Sequence, residues 1–153
     1  MIQRIQTIYL LLALCLCVGC LCTPVAHFVT LDTCERVDMY NLWLVNGAGE
    51  HTFFFCPALM GLMVITATLL FFDIWLFTRR ALQMRLAVFC MILLVGWYAL
   101  YAVIAYMLTA DMDATFRPNW TAALPAAALI FTYLAFRGIL KDEMLVRSLD
   151  RLR

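Results

Sequence analysis

Charge is scarce in this sequence. Only 14% of its 153 residues are Asp, Glu, Lys or Arg, against about 25% in soluble domains. The formal net charge is +1, so no overall basic or acidic surplus pulls the chain towards nucleic acid. Catalytic signatures are missing as well. There is no phosphate-cradling Gly loop, no Ser/His/Asp set and no His-Glu-x-x-His helix. No residue pattern specifies a reaction, and none calls for a cofactor. Apolar residues fill the space instead, at 66% with a mean hydropathy of +0.93. One small core cannot hide that much apolar surface, whereas lipid can solvate it.

The apolar residues fall into four runs: Thr7 to Phe28, Phe53 to Thr78 (interrupted by Asp73), Leu86 to Thr109, and Thr121 to about Leu140. A helix rising about 1.5 Å per residue crosses a hydrocarbon layer of roughly 30 Å in about 20 residues. The runs are continuous rather than alternating, which excludes the strands of a lipid barrel. Lipid leaves backbone groups no outside partner, so the spans must be helices. The expected fold class is an all-α membrane protein. It is a single membrane domain, a four-transmembrane-helix bundle with both termini cytoplasmic and a short amphipathic C-terminal extension.

Orientation follows from the positive charges. Arg4, Arg79, Arg80, Arg85, Arg137, Lys141, Arg147, Arg151 and Arg153 fall on one side, and only Arg36 and Arg117 on the other. The first side is read as cytoplasmic. It contains the short connection 79–85 and the tail 141–153. Connections 29–52 and 110–120 are read as external, and they carry Asp32, Glu35, Asp38, Glu50, Asp111 and Asp113. Trp43, Phe53, Phe54, Phe55, Phe116 and Trp120 lie where aromatic rings favour the interface. The first span is too long for a signal-peptide core, so cleavage or lipidation at Val18-Gly19-Cys20 is not expected.

In the first external connection Asn46-Gly47 marks a turn. Met39 to Val45 alternates as a short strand or an interfacial amphipathic piece would. Asn119 suits a helix cap, Pro125 a kink, and Gly61 and Gly96 close helix approach. Asn119-Trp120-Thr121 matches a glycosylation acceptor, but lies against the membrane and is read as chance. In the tail, Leu145, Leu149 and Leu152 share a helical face, and Glu143 precedes Arg147 by one favourable helical spacing. Arg4, Glu143, Leu145, Arg147, Leu149, Arg151, Leu152 and Arg153 form a candidate contact surface. It suits anionic lipid or a docked protein partner.

Both ends and the start of the third run carry a resemblance. The start is Met1-Ile2-Gln3-Arg4-Ile5-Gln6-Thr7. The end is Ala135-Phe136-Arg137-Gly138-Ile139-Leu140-Lys141-Asp142-Glu143, followed by Leu145-Val146-Arg147-Ser148-Leu149-Asp150-Arg151-Leu152-Arg153. Gln83-Met84-Arg85-Leu86 opens the third run. Together they resemble a family of small four-span bacterial inner-membrane proteins catalogued only as a domain of unknown function. The resemblance implies a Gram-negative inner-membrane location and no assigned activity, and it carries no catalytic residue across.

Three side-chain sets invite chemistry. Cys15, Cys17, Cys20 and Cys22 are closely spaced soft ligands, but one straight helix splits them between faces. They are read as small apolar packing residues, and no metal is expected. Cys17-Val18-Gly19-Cys20 and the pair Cys34 and Cys56 are similar in layout to four-span disulfide-forming quinone reductases. That chemistry needs an activated, accessible thiolate, and Cys17 and Cys20 have no nearby cation. Cys34 and Cys56 are a candidate structural disulfide in an oxidising compartment. Asp73 is the one acid inside a span, a functional candidate by its position. The favoured reading is an ion pair with Arg80, Arg85 or Arg137. His27 and His51 are expected to be solvated at the outer boundary.

The leading functional expectation is a non-enzymatic accessory or scaffold subunit of a membrane complex. Its partners would be the lipid bilayer and other membrane proteins or further copies of itself, not nucleic acid. The alternatives are thiol–quinone exchange through Cys17/Cys20 and Cys34/Cys56, and small-solute or ion transport through Asp73.

Overall fold

The computed structural model describes residues 2–30, 35–47, 49, 51–52, 57–76, 79–112 and 114–150. Its frame is four long helices: α1 (Ile2–Cys22), α2 (Pro57–Trp75), α3 (Arg80–Met112) and α4 (Leu124–Asp150). All four are long and apolar enough to cross a membrane. α2, at 19 residues, is about 28 Å long, matching a hydrocarbon layer of roughly 30 Å.

Local chemistry sets the helix ends. The first run reads as helical to Phe28, yet α1 stops at Cys22. Pro24 is the reason: it lacks a backbone donor and disfavours helix at the residue before it. Pro57 opens α2, at a first-turn position where a missing N–H costs nothing. The 79–85 connection is much tighter than its charges suggest. The Arg79 amide donates to the Leu76 carbonyl (2.9 Å), and the Arg79 carbonyl accepts from Leu82 (3.0 Å) and Gln83 (3.1 Å). α3 therefore starts at Arg80, ahead of the expected Leu86. Asn119 caps as expected, but it caps a 3₁₀ turn (Trp120–Ala123) that feeds α4. Pro125 lies in the first turn of α4, not in its interior, so it forces no kink there.

α1 packs against α4 and α2, and α3 against α2 and α4, closing a ring. Each helix is apolar on every side, so packing rather than hydropathy picks the buried stripe. On α1 the stripe is Leu10, Ala13, Cys17 and Cys20; on α4 it is Ala128, Thr132, Ala135, Ile139 and Asp142. Small residues dominate both, which lets backbones approach closely. Bulky Ile8, Leu11, Phe72, Ile92, Val95 and Ile130 point outward.

A sheet closes one end of the bundle. It comprises β1 (Ala26–Thr30), β2 (Arg36–Met39), β3 (Leu44–Val45), β4 (His51–Thr52) and β5 (Ala114–Pro118). The order is β4-β3-β2-β1-β5, antiparallel throughout. Phe28, expected in the first span, pairs with Val37 on one side and Phe116 on the other. The alternating 39–45 segment is not one strand but the bend of the β2–β3 hairpin, with Met39 opposite Leu44. The Asn46-Gly47 turn forms, with the Gly49 amide donating to the Asn46 carbonyl (2.8 Å). Gly49 has φ 79°, a conformation that only glycine adopts freely. Ala26, Phe28, Val37, Met39 and Leu44 face the bundle and are buried.

Candidate functional site

Polar side chains inside the molecule gather at three levels. The first is the seam between sheet and bundle. Asn41 is 2% exposed. Its amide donates to the Cys20 carbonyl (2.7 Å) and reaches the Cys20 Sγ (3.9 Å), while its oxygen accepts from Trp97 Nε1 (3.3 Å). The Trp97 ring stacks on Tyr101 at 5.2 Å and 8°, and the Tyr101 hydroxyl donates to the Val25 carbonyl (3.1 Å). Tyr98 donates to the Ala122 carbonyl (2.6 Å) and accepts from the Ala126 amide (2.9 Å). The Pro24 carbonyl accepts from Asn119 Nδ2 (2.9 Å) and from the Thr121 hydroxyl. The turn after α1, the start of α4 and the middle of α3 are thus joined through side chains. Buried polar groups are costly unless satisfied, and these are satisfied mostly by backbone groups of the neighbouring elements.

The second level is the opposite end of the bundle, called here the tail end. Gln6 Nε2 donates to Asp142 Oδ2 (2.8 Å), with both residues buried. Gly138 makes room: a Cβ there would lie 3.0 Å from Gln6 Cγ.

The third level is Asp73, on α2 two residues before its end. It is 0% exposed, and neither carboxylate oxygen has a hydrogen-bond partner among the described residues. The expected ion pair does not form. Arg85 and Arg137 are exposed and Arg80 is half-buried, because all three project away from the interior stripe that Asp73 shares with Ala67 and Leu70. Gln83 is the neighbour that reaches it, donating to the Asp73 backbone carbonyl (3.2 Å).

The cysteines divide as their spacing implies. Cys17 and Cys20 are buried, Cys15 and Cys22 exposed, and Cys90 on α3 buried; all five are free thiols. Among the described residues, no three His, Cys, Asp or Glu side chains converge as a metal would require. Cys34 and Cys56 lie outside the described residues, as do Phe53, Phe54, Phe55, Arg151, Leu152 and Arg153. Of the remaining tail positions, Glu143 is half-buried and Leu145 exposed; Arg4, Arg147 and Leu149 lie within α1 and α4.

His27 is not simply solvated. On the outward face of the sheet its Nδ1 lies 2.7 Å from Asp38 Oδ1, which also accepts from Arg36 Nε (2.8 Å). Partial burial pushes the Asp38 carboxyl up, but the hydrogen bonds and charges of Arg36 and His27 outweigh it and hold it below its ordinary range. Aromatic residues mark both ends: Trp120 is 76% exposed at the sheet end and Trp75 71% at the other. Trp43 instead rests against Tyr40, and Phe116 against Phe28.

Sequence reasoning passed over Asn41, Trp97, Tyr98, Tyr101, Thr121 and Asp142. The one available signal was three large polar-edged aromatics at helical spacing in the middle of α3.

A family model described as a domain of unknown function (DUF4293) matches residues 2–152. No curated protein matches the chain.

Proposed function

We propose, from the premise that this chain belongs to the DUF4293 family, a non-enzymatic accessory or scaffold subunit of a membrane complex. It would span a bacterial cytoplasmic membrane four times with both ends inside. One observation carries the reading. The interior side chains able to do chemistry at the sheet end are spent on joining the sheet to the helices, while the tail end presents exposed Arg79, Arg85, Arg137 and Lys141 and, just beyond them, exposed apolar Met144 and Leu145 that a docked partner would cover. The positive residues favour the cytoplasmic side for that end, where a protein partner can meet them.

The test is recovery of partners from native membranes in mild detergent. Full-length chain should bring down a stoichiometric membrane protein, and truncation after Glu143 should lose it. That cut keeps Asp142, and so the bond to Gln6. A lone particle, unchanged by the truncation, would sink the reading.

A second reading has its own support. Asp73, buried and without a hydrogen-bond partner among the described residues, favours ion or small-solute transport, since an intramembrane acid is expensive unless used. Flux through proteoliposomes would fall in Asp73→Asn if this holds. Equal flux in the variant would eliminate it.

A further inference from the structure

We infer that the tail end of the molecule carries a site for one anionic phospholipid, its phosphate held between α3 and α4 and an acyl chain lying along the adjoining groove. The inference rests on the bilayer embedding proposed above and not on the accessory role.

Two adjoining hollows carry it. The first is a cleft of about 450 Å³ walled by Arg79, Arg80, Arg85 and Glu143, with Ala81 and Leu82. The second is a groove of about 440 Å³ walled by Met84, Val88 and Phe136. Ala81 and Arg85 line both, so the two lie side by side on the same stretch of α3. Three guanidinium groups against one carboxylate leave the cleft positive. The first turn of α3 has no acidic residue, and among the described residues none of the three arginines is in an ion pair. Arginine forks match phosphate oxygens in geometry as well as charge.

The second hollow is what selects a lipid over a free anion. From Ala81 to Val88 the groove runs about 10 Å along the helix, away from the charged end and towards the bundle's middle. Its walls offer Met84, Val88 and Phe136 and no further charge. A phosphate alone would leave this surface uncovered; an acyl chain would cover it. Basic pockets between spanning helices are known headgroup sites.

The experiment places the full chain in nanodiscs of equal phosphatidylcholine and phosphatidylglycerol and counts co-retained lipid by native mass spectrometry. The wild type should retain one phosphatidylglycerol in preference to phosphatidylcholine. Each arginine replaced by Gln should weaken that preference about fivefold, and Arg79→Gln, Arg80→Gln and Arg85→Gln together roughly a hundredfold. Arg79 and Arg85 are exposed, so their single variants keep the test alive if the triple variant fails to fold. Val88→Trp should displace the lipid with every arginine in place, and Arg137→Gln, outside both hollows, should change nothing.

Equal retention of both lipids, or an equal loss in Arg137→Gln, would overturn the site. So would displacement of the lipid by millimolar inorganic phosphate alone. A chain that stays soluble without lipid or detergent would overturn the embedding as well, and is distinguishable from a chain that inserts with no lipid preference.

Discussion

Asp73 and Asp38 are both carboxylates, and their surroundings give them opposite consequences. Asp73 lies in the bundle with neither oxygen bonded among the described residues. An unsatisfied buried polar group costs about 1–3 kcal/mol. Asp73→Val should therefore raise stability by about that amount, read by thermal or chemical unfolding in detergent. A loss of stability would mean that the carboxylate has a partner. Asp38 lies on the sheet's outward face, bonded to His27 and Arg36. Its carboxyl is held below its ordinary value. The stability it contributes is thus complete above an unfolded pKa of about 3.9 and is lost as pH falls through the lower folded value. Acid titration of unfolding should show this loss in the wild type and a flatter profile in Asp38→Asn.

Among the elements, α4 is the most constrained. Its inner stripe of Ala128, Thr132 and Ala135 is fully buried, and Gly138 leaves space that Gln6 of α1 fills. Gly138→Val would drive a side chain into Gln6 and disturb its bond to Asp142. Overpacking of this kind costs typically 1–3 kcal/mol, and a matching fall in unfolding free energy is the expected outcome. Val88→Leu, on the outward side of α3 and 37% exposed, should be close to neutral in the same assay. The sheet is held differently. Its strands are of two to five residues, too short to persist alone, and they are kept by burial of Phe28, Val37 and Met39 on the bundle and by the Asn41 and Tyr101 bonds.

For the whole molecule, the ring of antiparallel helices puts the start of α1 and the end of α4 at one pole and the sheet at the other. Thiol labelling checks this against a real membrane. With Cys34 and Cys56 replaced by Ser, Gly47→Cys should react with an impermeant reagent from outside intact cells. Met144→Cys, 57% exposed in the native residue, should react only after permeabilisation. The reverse pattern would invert the orientation and move the arginine cleft to the outer leaflet. The aromatic residues at both poles, Trp120 and Trp75, are the markers that a bilayer of matching thickness should meet.

Helix number and type were set by the sequence itself, because an uninterrupted apolar run about 20 residues long has no other stable form in lipid. The asymmetric arginines, the Asn46-Gly47 turn and the division of the α1 cysteines between two faces were legible for the same reason: each depends on residues close along the chain. Tertiary structure alone decided the rest. Helices that are greasy all round do not reveal which stripe faces inward, so the isolation of Asp73 from Arg80, Arg85 and Arg137 could not be read from spacing. Nor could the pairing of β1 with β5, which joins segments far apart in sequence. Gln6 meeting Asp142, and Asn41 meeting Trp97, are matters of which backbones approach, and that is fixed only when all four helices pack at once.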